Sequence, residues 1–171
     1  MRRIVLSLLL GLVVSVAAVA EEASKWSVSG APDNPPFTLM LPHQNRPFFV
    51  FDCSARDHVK VTQTGVTKLL DMKTNKHVGD GPNDVLTPGA AYMAIGVNDV
   101  EPNLVPAKGT HNPAGGWDLV IEIPKSEPAF VALGKAKMMT LFTTGHTVGV
   151  VLSDADRAVV GDFVSRCRAH S

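Results

Sequence analysis

Trp117-Asp118-Leu119-Val120-Ile121-Glu122-Ile123 decides the fold class of this chain. Trp117, Leu119, Ile121 and Ile123 fall on one face of an extended segment while Asp118 and Glu122 fall on the other, and a period of two specifies a half-buried β-strand. Working outward, Val59 and Val61 alternate in the same way with His58, Lys60 and Thr62. Phe37 to Leu41 and Pro47 to Cys53 are rich in aromatic and β-branched residues, with Pro42 to Arg46 between them as a turn. Phe37 to Leu41, Pro47 to Cys53 and the Val59–Val61 strand predict an antiparallel meander, and Ala91 to Val97 is expected to form another strand. Glu21 to Pro36 is polar and turn-rich, with at most a short strand at Lys25 to Ser29.

Two stretches are dominated by residues that break regular structure. Lys73 to Gly89 contains Gly79-Asp80-Gly81-Pro82-Asn83 and Thr87-Pro88-Gly89, and is expected to be a loop or a pair of tight turns. Asn98 to Gly116 mixes prolines, asparagines and glycines in irregular order. A structureless segment of that length is uncommon in a compact domain unless it carries function. Val100, Asn103, His111, Asn112 and the adjoining Trp117 are therefore the candidate interaction surface, although the apolar stripe that holds Trp117 makes it more readily a core residue than a contact.

The last third alternates helix and strand signals. Ser126-Glu127-Pro128 supplies a helix start with Ser126 as cap, and Phe130, Val131 and Leu133 give a short apolar face that ends near Lys135. Lys137 to Thr143 and Thr147 to Leu152 form a hairpin around Thr144-Gly145-His146. Ser153 or Asp154 caps a final helix, where Ala155, Val159 and Phe163 recur at i, i+4, i+8 and Val160, Val164 and Cys167 extend the stripe. The fold class is thus mainly β (α+β): one antiparallel β-sandwich-like domain over residues 21–171, with a short helix and a C-terminal amphipathic helix.

Residues 1–20 read as a signal peptide: Arg2 and Arg3, an apolar run from Ile4 to Val16, and Ala18-Val19-Ala20 before acidic Glu21 and Glu22. The apolar run falls short of a spanning helix, so cleavage after Ala20 and a periplasmic or secreted location are expected, with no stable membrane span. Without the leader, 14 basic residues face 16 acidic ones, a formal charge of −2. Lysines and arginines are dispersed, which leaves no electrostatic footprint for nucleic acid. In an oxidising compartment the two cysteines, Cys53 and Cys167, form one disulfide, and the absence of a Cys-x-x-Cys motif argues against redox work.

Ala132-Leu133-Gly134-Lys135, Met138 to Phe142, Val148 to Leu152 with Ser153, and Phe163 before Cys167 resemble the C-terminal unit of small exported bacterial proteins of the invasion-associated locus B-like family. The resemblance covers about a third of the chain, which lacks the family's additional cysteines and the Gly-Phe after the last strand. It implies a periplasmic β-sandwich-like domain and carries no catalytic residues over.

Residue chemistry offers no convergent site. Asp52-Cys53-Ser54-Ala55-Arg56-Asp57-His58 gathers a serine, two aspartates and a histidine, but there is no nucleophile-elbow pattern, and a turn explains it better. The six histidines, at 43, 58, 77, 111, 146 and 170, follow no metal-ligand spacing. Gly79 to Asp84 lacks the alternating oxygen ligands of a calcium loop. No metal or other cofactor is expected. The leading expectation is a non-enzymatic binding or accessory protein whose partner is an envelope protein or cell-wall component. The alternative is a metal-binding or hydrolytic protein using Asp57, His58, His111 or His146.

Overall fold

The computed structural model describes residues 25–30, 35–43, 46–98 and 100–170. The leader expected over residues 1–20 and its cleavage point lie outside the described residues, as does the tip of the Pro42 to Arg46 turn.

In chain order the elements are β1 (Ser27–Gly30), β2 (Phe37–His43), β3 (Arg46–Asp52), β4 (His58–Val66), β5 (Leu69–Asp71), β6 (Lys76–Val78), β7 (Ala91–Val97), β8 (Val105–His111), β9 (Trp117–Pro124), α1 (Pro128–Leu133), β10 (Met138–Thr143), β11 (His146–Val151) and α2 (Asp154–Ala169). Nine strands form one antiparallel sheet in the order β1-β2-β3-β4-β9-β8-β7-β10-β11, and β5 and β6 make a separate hairpin. The expected antiparallel β-domain with two helices is present, and β2, β3 and β4 are the expected meander, with β1 added at its edge.

β9 holds the centre of the sheet, and its alternation is the one read from the sequence: Trp117, Leu119, Ile121 and Ile123 are buried while Asp118 and Glu122 are not. Cross-strand register lines up Leu39, Phe51, Val61 and Ile121 as one inward row. All four are almost fully buried. Such side chains contribute roughly 1.5 to 3 kcal/mol each on burial. The sheet curls so that its inward rows and both helices share a single core. Phe163 of α2 is the hub, with ring contacts to Phe37 at 5.5 Å, Phe130 at 6.4 Å and Phe51 at 6.5 Å.

Ser153 is the N-cap of α2, in a reciprocal capping box: its hydroxyl accepts from Asp156 N–H while the Asp156 carboxylate accepts from Ser153 N–H at 3.0 Å. The buried stripe is Asp156, Val160, Phe163, Val164 and Cys167, so the helix is rotated relative to the expected stripe and Ala155 and Val159 sit half-buried at its margin. Asp156 can occupy the inner face because Lys25 N–H also donates to its Oδ1, at 2.8 Å. Cys167 lies on the buried face and bonds to Cys53. α1 begins at Pro128 with Glu127, not Ser126, at the cap position and without a side-chain cap bond.

Two expectations are corrected. The Asn98 to Gly116 stretch is no long loop, because β8 occupies its middle, between β7 and β9. Its composition hides it, and tertiary pairing overrides weak propensity. Pro106 lies in the part of β8 that pairs with β7 alone, so its missing N–H costs no bond to β9. At Gly109 a Cβ would stand 2.6 Å from Leu86 Cδ2, so glycine makes room for the loop that folds over the sheet. The second correction is the β5–β6 hairpin, which places a short strand, Lys76–Val78, inside the breaker-rich Lys73 to Gly89 region.

Candidate functional site

The turn-rich segment after β6 is pinned to the sheet by side chains. Asp71, at the end of β5, is 2 % exposed and accepts backbone N–H bonds from Lys73 (2.9 Å), Thr74 (2.8 Å) and Thr87 (2.9 Å). The Thr87 hydroxyl, aided by the Thr74 and Thr87 amides and opposed by desolvation, holds the Asp71 carboxyl well below the usual carboxylate range. Lys73 Nζ donates to Pro88 O at 2.6 Å. An open cleft of about 210 Å³ lies here, lined in part by Asp71, Lys76, His77, Asp84 and Val85. Its acidic groups are engaged, since the Asp84 carboxylate in turn accepts from Gly81 N–H at 2.8 Å.

Two of the five residues singled out in the sequence, Trp117 and His111, belong to this pinning, and Asn112 lies next to them in the chain. Trp117 is buried and its indole N–H donates to Gly79 O at 2.9 Å. The His111 ring stacks on it with centroids 3.9 Å apart, and Nε2 bonds Asp84 O at 2.7 Å. A carbonyl can only accept, so Nε2 carries the proton. Asn112 Nδ2 donates to Asp118 Oδ1 at 2.6 Å, which also receives Gly65 N–H at 3.1 Å. Val100 and Asn103 are elsewhere: Val100 bridges to Val97, and Asn103 lines a crevice with Ile95, Ile121 and Ile123. The length of β8, roughly 20 Å at 3.4 Å per residue, separates the two groups. The five residues therefore form no single surface.

The residues of the alternative chemistry are also apart. Cys53 is buried in the disulfide, Asp52 pairs with Lys60 at 3.2 Å, and Ser54 to Asp57 form an exposed connection to His58, the first residue of β4. His58 stands opposite Pro124 and His111 opposite Trp117, at the two ends of β9, while His146 follows the β10–β11 turn. Among the described residues no three His, Cys, Asp or Glu side chains are grouped to hold a metal. The buried titratable group beside this turn is Lys125, 4 % exposed, which donates from Nζ to His170 O at 2.9 Å, at the C-terminus of α2. Burial pushes its pKa down, and the Asp57 charge opposes that shift. A cation at a helix C-terminus completes carbonyls that otherwise lack partners.

The surface that stands apart from the rest was missed by sequence reading. On the outward side of β7, β10 and β11, register brings together Tyr92, Ala94 and Gly96, then Met138, Thr140 and Phe142, then Thr147, Gly149 and Val151; Ala94 and Gly96 are covered, and Met138, Thr147, Gly149 and Val151 are exposed. None of these residues is charged. The outward positions of the neighbouring strands carry Lys60, Lys108, Asp118 and Glu122. Met138 and Val151, directly opposite each other, are 51 % and 74 % exposed. Phe142 lies over Gly96, where a Cβ would come within 2.7 Å of its ring. β11 ends the sheet, so one row of its backbone groups faces no strand among the described residues. The signal for this face was present as the second phase of each alternation, but it means something only once β7, β10 and β11 are known to be neighbours. No family model, curated protein or solved structure matches the chain.

Proposed function

We propose that this chain is an exported, non-catalytic binding domain of the bacterial envelope that engages another envelope protein through the outward face of β7, β10 and β11. The observation that carries this reading is the exposure of Met138 and Val151 on a sheet face without a charged side chain. Large apolar side chains exposed side by side, as Met138 and Val151 are at the β10–β11 end of this face, are characteristic of contact surfaces. Export is supported by the basic, apolar and small-x-small pattern of residues 1–20 and by a disulfide, the bond of oxidising compartments. No helix among the described residues is long and apolar enough to cross a membrane.

The test is capture from envelope extract by the wild-type protein and by Met138→Lys and Val151→Lys, both at solvent-facing positions. A protein retained by the wild type and lost with either lysine supports the reading. An identical retained set in all three, or retention of cell-wall fragments alone, overturns it.

A further inference from the structure

We propose that β11 is a homotypic docking edge: it pairs antiparallel with β11 of a second copy of this chain about a two-fold axis at Gly149, joining two nine-stranded sheets into one. The inference rests on reading the adjoining face as a contact surface, and it adds the partner and the geometry.

The backbone direction follows from the hairpin. Thr143 and His146 close the two-residue turn as opposite partners, and alternation along the ladder makes Leu141 with Val148 and Met139 with Val150 the bonded pairs. The same phase continues beyond the strand, where Leu152 N–H donates to Lys137 O at 2.9 Å. Thr147, Gly149 and Val151 therefore turn their N–H and C=O groups away from β10. In the two-fold arrangement Gly149 faces its own copy and Thr147 faces Val151 of the second copy. Each facing pair exchanges two N–H···O bonds.

Nothing along β11 resists this pairing. Edge strands are ordinarily blunted by lysine, proline, a bulge or brevity. β11 runs for six residues with no Lys, Arg, Asp, Glu or Pro, and its register with β10 is unbroken. A symmetric pair sets every side chain against a copy of its own strand, so a charged edge would meet like charge. A neutral edge meets none. Gly149 has no atom within 4 Å of a built Cβ, so nothing overlies the outward face of the sheet at the axis. Val151 and Met138 gain cover on the outward side, and the half-buried Val148 and Val150 gain it on the inward side. The opposite edge, β1, is shorter at four residues, and Lys25 beside it is bonded to Asp156 of α2.

Sedimentation of the purified protein over a range of concentrations reads the association directly. The expected mass rises from one chain to two, and Thr147→Lys and Val151→Lys each weaken association at least about tenfold, the equivalent of ~1.4 kcal/mol. Ser27→Lys, on the β1 edge, should associate like the wild type. Two lysine variants at exposed positions guard against a single misfolded one, and melting curves matching the wild type establish that each is folded. A single-chain mass at every concentration overturns the inference, as does wild-type association by both lysine variants or loss of association in Ser27→Lys alone. Capture of an envelope partner by a strictly monomeric protein would sink the homotypic edge while leaving the proposed binding function standing.

Discussion

Cys53, just beyond β3, and Cys167, in the last turn of α2, are joined by a disulfide across 114 residues of chain, with their Cα atoms 5.7 Å apart. The bond ties the terminal helix to the meander at the point where Phe163 enters the core. Both sulfurs belong to fully buried residues.

The first prediction concerns this bond. The chain-entropy account gives roughly 5 kcal/mol for a closed loop of this length. Replacing both cysteines by alanine should lower the thermal midpoint by many degrees and is expected to cost up to that amount in urea unfolding. Alkylation followed by intact-mass measurement should add two groups only after reduction in denaturant. Two groups added to the untreated native protein would show the thiols to be free.

A second prediction concerns acid. The Asp71 pKa is lowered in the folded state, so its contribution is fully present above the unfolded value of 3.8 and is lost as pH falls below it toward the folded value. The amides of Lys73, Thr74 and Thr87 should remain protected from hydrogen exchange at mildly acidic pH. Asp71→Ala should expose all three at neutral pH. Unchanged protection in that variant would remove Asp71 from the role of pin.

Lys125 gives the opposite end of the pH scale. Its folded pKa lies below the ordinary lysine value of 10.5, so between the two values the unfolded chain binds more protons and stability rises with pH. Lys125→Met should abolish that alkaline increment and expose the last turn of α2 to exchange, because the bond to His170 O is gone. A Lys125→Met profile that keeps the wild-type rise in stability as pH approaches 10.5 would contradict it.

Gly161 lies in the interior of α2, where exchanging glycine for alanine ordinarily stabilises by about 1 kcal/mol. Here a Cβ would stand 2.9 Å from the Gly134 carbonyl oxygen, which is backbone and cannot rotate away. Gly161→Ala should therefore destabilise, by about 1 to 3 kcal/mol, as overpacking does. An increase in the urea midpoint would overturn this close helix-to-helix approach.

The strands with a clean alternation were legible in the sequence. Trp117 to Ile123 and His58 to Thr62 show their buried face because water on one side and core on the other impose a period of two. β8 was not legible, since Val105-Pro106-Ala107-Lys108-Gly109-Thr110-His111 has little β-propensity and is held by β7 on one stretch and β9 on the next. The role of Asp71 was equally hidden, because its partners, Lys73, Thr74 and Thr87, converge only after the β5–β6 hairpin folds back. Trp117 is core, as its apolar stripe indicates, and His111, read as surface, stacks on it beneath a loop.

What the sequence by itself determined is periodic and local: the alternating strands, the Ser153 start of α2, and two cysteines that had only each other to bond. Tertiary structure alone decided which outward faces adjoin. Charge-free positions on three separate strands are unremarkable singly, and strand order joins them into one surface ending at the unpaired edge of β11. The reason is physical: inward packing follows from each strand's own pattern, whereas a surface is made by neighbours that the chain brings together from distant positions.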